Sequence, residues 1–206
     1  MTIELCKLTT QDLTTHNGFQ WEPGVWAPKL SGDQNLCSSS WYHCYEHPLL
    51  AVLLNPLHAN IQNPRLWKIE VNGDLISDHG LKRGYRTMRL VEEIELPDIT
   101  TEQRLMFCIL CALEVCTESK FVMWAKNWLS GENRSGKAAL YVAWAAEQAI
   151  DDTAMAALNA IWAAEAIWAA RAAADAARAA AEAAEAAAEA ADINLIKVAY
   201  RAVYDN

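Results

Sequence analysis

The chain has 206 residues, 53% of them apolar and 21% charged, with a net charge of −9. That length supports one large domain or two small ones with a buried core, and the apolar content excludes wholesale disorder. The acidic balance argues against nucleic acid as a partner, because non-specific binding to it draws on surplus Lys and Arg.

The start, MTIELCK, lacks the basic and long apolar regions of a secretory signal. The central apolar run Leu105 to Leu113 is about half a bilayer span. A soluble cytoplasmic protein without membrane partners is therefore expected, its six cysteines reduced.

All six prolines lie at or before Pro97, and residues 137–206 contain neither Gly nor Pro. Alanine runs the other way, with three before Pro97 and 30 from Ala138 to Ala191. This step divides the chain into residues 1–98 and 99–206, an α+β arrangement in which a mixed part with an antiparallel hairpin sheet precedes an all-α part.

Turn formers recur through 12–47, which predicts short strands in long loops. Pro48 opens a short helix, Leu49 to Leu54, which Pro56 should stop. Trp67, Ile69 and Val71 alternate with Lys68 and Glu70, Asn72-Gly73 supplies a tight hairpin turn, and Leu75-Ile76 starts the return strand. A further strand, Tyr85 to Glu95, places Met88, Leu90 and Ile94 on one face, interrupted by Glu92.

Thr100-Thr101-Glu102-Gln103 is a capping box, and its helix should reach Cys116. Further helices are expected over Glu118 to Leu129, from Gly136 onward, after an Asp151-Asp152-Thr153 cap, and after Asp192 with a Leu195, Val198, Ala199, Ala202, Val203 stripe. Trp-Ala-Ala recurs at Trp144, Trp162 and Trp168. Arg171, Asp175, Arg178, Glu182, Glu185, Glu189 and Asp192 draw one charged stripe on an otherwise alanine cylinder. Residues 153–191 as one helix would reach about 58 Å at 1.5 Å per residue. Such a rod needs a partner, from this chain or from a second copy, so homo-oligomers through the alanine helices are expected.

Cys37, His43, Cys44 and His47 form the densest set of metal-ligand side chains, but adjacent residues on an extended backbone diverge, which favours loop packing and no metal. Cys108, Cys111 and Cys116 fall on an apolar helix and read as core. The acidic residues Glu182, Glu185, Glu189 and Asp192 read as a wetted face rather than a nucleic-acid mimic. Lys82, Arg83, Arg86 and Arg89, with Tyr85 among them, are the one basic concentration, with Arg65 and Lys68 on a nearby strand. Together with Trp41, His43 and Tyr45 they are the candidate residues for binding an anionic, nucleotide-like ligand. The competing reading is a solvated strand edge protected by cations. No catalytic or cofactor motif occurs. A spatially assembled site, such as His43 and Tyr45 with a distant Glu for ADP-ribosyl transfer, is the enzymatic alternative.

Gly18-Phe19-Gln20, Glu22, Gly24, Leu36-Cys37, Cys44, Pro48-Leu49 and Val71-Asn72-Gly73-Asp74 resemble the pattern of a small domain common in tailed-phage and prophage proteins, over roughly residues 10–98. Counting from Cys37, the family's histidine falls on Tyr42, one place before His43, and its glycine on Ser40. The alanine-rich part is similar to the helical tails of immunity-type proteins. With no catalytic motif, a basic-aromatic cluster in an acidic chain and this phage-like architecture, a non-enzymatic accessory protein in the cytoplasm of an infected or lysogenic bacterial cell is expected. Its expected role is counter-defence, by sequestering an anionic small molecule or blocking a host defence protein, with no cofactor. A helical assembly element is the other alternative.

Overall fold

A computed structural model describes residues 5–134 and 173–205. The chain divides into two compact units, Met1–Asp98 and Ile99–Asn206, and the architecture is α+β. The helix expected from Gly136, the Asp151 cap, the Trp-Ala-Ala repeats and the first part of the 153–191 rod lie outside the described residues.

In the first unit, β1 (Cys6–Thr9), β5 (Arg65–Asp78), β6 (Lys82–Ile94) and β4 (Tyr42–Cys44) form an antiparallel sheet in the order β1-β5-β6-β4. A two-stranded ribbon, β2 (Thr14–Thr15) with β3 (Phe19–Gln20), lies between β1 and β4 in the chain. Cys6 and Tyr45 exchange backbone hydrogen bonds of 2.9 and 2.8 Å, so the two outer strands are bridged and the sheet curls back on itself. Beyond β4, the β6 edge is satisfied by the 24–30 segment: the amides of Gly24, Ala27 and Leu30 donate to the carbonyls of Leu90, Met88 and Arg86.

Turn chemistry explains where the sheet departs from expectation. Asn72-Gly73 does not close the hairpin. β5 runs on through it, because Gly73 and Asp74 together oppose Arg86 alone, a bulge that Gly73 accommodates at φ 90°. The reversal comes instead at His79-Gly80, with φ of 44° and 78° and the Leu81 amide donating to the Asp78 carbonyl at 2.7 Å. A second register shift leaves Val91 unpaired between Leu90 and Glu92, which accounts for the break in alternation at Glu92.

Helix α1 (Pro48–His58) starts as expected, with Pro48 in its first turn and the His47 Nδ1 accepting from the Leu49 amide. It passes through Pro56, contrary to expectation. A proline this close to the end forfeits a single bond, and the Asn55 side chain secures the exit by pairing with both backbone groups of Ile61. Its buried leucines, Leu49, Leu50, Leu53 and Leu54, accompany its packing against β1. A second apolar cluster joins Trp21, Tyr42, Cys44, Trp67, Ile69, Tyr85, Met88 and Leu90.

In the second unit the Thr100 hydroxyl accepts from the Gln103 amide while Gln103 accepts from Thr100, completing the capping box of α2 (Thr101–Val115). Eight consecutive α2 residues, Leu105 to Ala112, are buried, as befits a helix surrounded by others. It packs against α3 (Ser119–Leu129), α4 (Ala173–Ala190) and α5 (Leu195–Tyr204). The α4 face that meets neighbours includes Ala177, Ala180, Ala181, Ala184 and Ala188, while Arg178 and Glu189 stay wet. Asn194, not Asp192, caps α5 by accepting from the Lys197 amide at 3.0 Å. The expected α5 stripe is buried at Leu195, Val198, Ala199 and Ala202. Cys108 and Cys111 are fully buried, and desolvation pushes both thiols up. Among the described residues no helix is long and apolar enough to cross a membrane.

Candidate functional site

The curl of the first unit leaves a cavity of about 720 Å³, within the usual size for small-molecule sites. Its walls come from β1 (Lys7, Leu8), the turn between β2 and β3 (Thr15, His16, Asn17, Phe19), the 37–41 segment, β4 with Tyr45, the end of α1 (His58) and the start of β6 (Lys82). Among the described residues the lining holds two lysines, three histidines and four aromatic rings (Phe19, Trp41, Tyr42 and Tyr45), and no carboxylate. The second unit has a cavity of about 670 Å³, but there Glu102 and Asp205 offset Arg134 and Arg201, and Arg134 is already bonded to Glu102.

Several polar groups in the first cavity are held from behind. Lys7, on a four-residue strand that is buried throughout, is 7% exposed. Its Nζ donates to the His43 carbonyl at 2.7 Å and lies 5.1 Å from the centre of the Trp21 ring. Burial lowers its pKa to about 8, opposed weakly by Cys44. His43 Nε2 is 2.6 Å from the Leu36 carbonyl, which only accepts, so Nε2 carries the proton and Nδ1 remains an acceptor. Burial also lowers the His43 pKa, with Lys7 and Lys82 adding in the same direction. Tyr45 stacks on His58, ring centres 6.1 Å apart and planes 11° from parallel. Burial pushes the Tyr45 hydroxyl up and brings His58 down to about 4. Lys82 reaches Asp78 and the Cys37 sulfur, each at 3.5 Å.

Of the residues singled out from sequence, Trp41, His43, Tyr45 and Lys82 line this cavity. Arg83, Tyr85, Arg86 and Arg89 do not. Arg83 is ion-paired with Glu46, and Tyr85 sits in the apolar cluster opposite Tyr42. Arg86 is 4% exposed, donates to the Ser40 carbonyl at 2.9 Å and lies 3.5 Å from the Trp41 ring centre. Arg89 pairs with Glu70 and rests over Trp26. A strand alternates its side chains between faces and each long cation finds its nearest carboxylate, so adjacency in sequence does not gather them. Arg65 and Lys68 are likewise paired, with Glu93 and Glu92.

Sequence reasoning missed Lys7, His16 and His58. The available signal for Lys7 was a single lysine within Leu5-Cys6-Lys7-Leu8, a cation placed where a short strand should be buried. Cys44 belongs to the apolar cluster, Cys37 is exposed and His47 caps α1. No group of three or more His, Cys, Asp or Glu side chains gathers as a metal site among the described residues.

Comparison with curated proteins gives no match, and comparison with solved structures gives none either. Residues 3–102 match the family model described as Domain of unknown function (DUF7666), a stretch that contains every described residue lining the first cavity.

Proposed function

We propose that the chain is a non-enzymatic binding protein whose first unit holds a small anionic ligand with an aromatic ring, nucleotide-like in chemistry. The observation that carries this reading is the lining itself: Lys7 and Lys82, three imidazoles and four aromatic rings around one cavity, with no carboxylate among the described lining residues and Asp78 behind Lys82 as its ion-pair partner. A phosphate gains charge-assisted bonds from the lysines, and a base gains a stacking surface from Trp41 or Tyr45. ADP-ribosyl transfer is the weaker reading. Cleaving nicotinamide builds positive charge on the ribose, a carboxylate is the usual stabiliser of such charge, and the described lining offers none.

The resemblance to phage and prophage domains supports a place in host conflict, where sequestering a nucleotide signal, or blocking a defence protein, would protect the virus. Titration calorimetry of the full chain with mononucleotides, dinucleotides and cyclic nucleotides tests the binding reading. Micromolar affinity for at least one, weakened tenfold or more by Lys82→Ala and by raised salt, is expected. Absence of heat across the panel at 100 μM protein would overturn it.

A further inference from the structure

The Lys7 amine is buried on the wall of the cavity, and its described contacts can serve an iminium as well as an ammonium. An ammonium carries three N–H donors, yet Lys7 Nζ has a single protein acceptor among the described residues, the His43 carbonyl at 2.7 Å. An iminium carries one N–H and the same positive charge. One carbonyl then satisfies its one donor, and the Trp21 ring beneath, 5.1 Å from Nζ, favours the charge in either form. The residue is 7% exposed and borders a cavity large enough for an aromatic aldehyde. No ion pair from Lys7 to a described carboxylate occurs, unlike the pairing of Lys82 with Asp78.

We propose that Lys7 is a carbonyl-capturing amine that forms a Schiff base with small aldehydes entering this cavity. The neutral amine's lone pair attacks the carbonyl carbon and the carbonyl π pair moves to oxygen. Both amine hydrogens leave with that oxygen as water, so one C–O double bond is exchanged for one C–N double bond with no oxidant or reductant. A proton taken from solvent then gives the iminium, whose N–H keeps the bond to His43. Desolvated lysines serve this chemistry because burial frees the lone pair near neutral pH. The titratable neighbours that act on Lys7 supply no anion to hold the ammonium: burial raises the Cys44 thiol to about 12 and lowers His43.

The test uses the full chain at pH 8 with pyridoxal 5′-phosphate and, separately, with pyridoxal, which lacks the phosphate. Borohydride then fixes any imine as a secondary amine, and peptide mass spectrometry locates it among the eight lysines. With a pKa of about 8, half of Lys7 is neutral at that pH, against roughly 0.4% of an ordinary lysine. Initial labelling at Lys7 at least tenfold above every other lysine, for both aldehydes and half-maximal near pH 8, is expected. Labelling spread over the exposed lysines, or concentrated on Lys82, overturns the proposal. Adducts with the phosphorylated probe alone also overturn it, since capture is then anion binding followed by incidental contact. Lys7→Arg should abolish the adduct, and because the wild-type map decides by itself, a misfolded variant does not rescue the idea. The result is separable from nucleotide calorimetry, which can fail while pyridoxal still labels Lys7.

Discussion

Arg86 was a candidate ligand-binding residue by sequence, and its surroundings make it a brace instead. Arg86→Ala removes a charge-assisted bond to the Ser40 carbonyl, for which about 1.5–3 kcal/mol is typical, and a desolvated contact with the Trp41 ring of about 2 kcal/mol. The Asp74 partner is 77% exposed, so that pair adds little. Relief of the buried charge offsets part of the sum, leaving a net loss of about 3 kcal/mol. Urea unfolding followed by tryptophan fluorescence and circular dichroism measures it, as a shift of the transition that belongs to the first unit. Asp74→Ala should cost under 1 kcal/mol in the same assay. If Arg86→Ala costs under 1 kcal/mol, or no more than Asp74→Ala, the brace is wrong.

Two further perturbations follow from the same region. A Cβ at Gly84 would stand 2.5 Å from Leu36 Cδ1 and 2.9 Å from Ile76 Cγ2, so Gly84→Ala should destabilise the first unit by about 1–3 kcal/mol in thermal melts; an unchanged midpoint would mean the 33–41 segment moves away freely. His58 has its pKa lowered to about 4 in the folded chain, so between pH 6.5 and 4 the unfolded chain binds a proton that the folded one refuses, and stability falls as pH falls through that window. His58→Phe should therefore flatten the acid limb by about 2 kcal/mol, allowing for partial exposure, in urea midpoints at pH 7, 6, 5 and 4; parallel curves for the two proteins would contradict it.

Local signals in the sequence were legible where a single element settles its own geometry. The capping box at Thr100, the Pro48 start and the end of α3 near Ser130 depend on a few adjacent residues, and all three are present. Asn72-Gly73 misled because positive φ suits a bulge as well as a hairpin, and only the register against Thr87 and Tyr85 distinguishes them. The cavity was barely legible for a related reason. Its walls are drawn from positions as distant as Lys7, His43 and His58, and only the curl joining Cys6 to Tyr45 sets them around one space. The alanine helix lies between these cases: its methyl face called for a partner, and within its own unit α2 supplies one, as a helix buried on every side can.

Of the four cations that the sequence concentrates on β6, Lys82 lines the cavity while Arg83, Arg86 and Arg89 do not. Those three arginines of β6 each sit beside a carboxylate, Glu46, Asp74 and Glu70 respectively. These three cations lie outside the cavity lining, so their charge is spent on the sheet rather than on a ligand there. A cation that the fold buries without a described carboxylate is the more informative kind, because keeping it there costs free energy that burying an apolar residue would not. Lys7 is that residue here. Its position beside the His43 carbonyl, rather than the local density of Lys and Arg, is what marks the cavity as the candidate site.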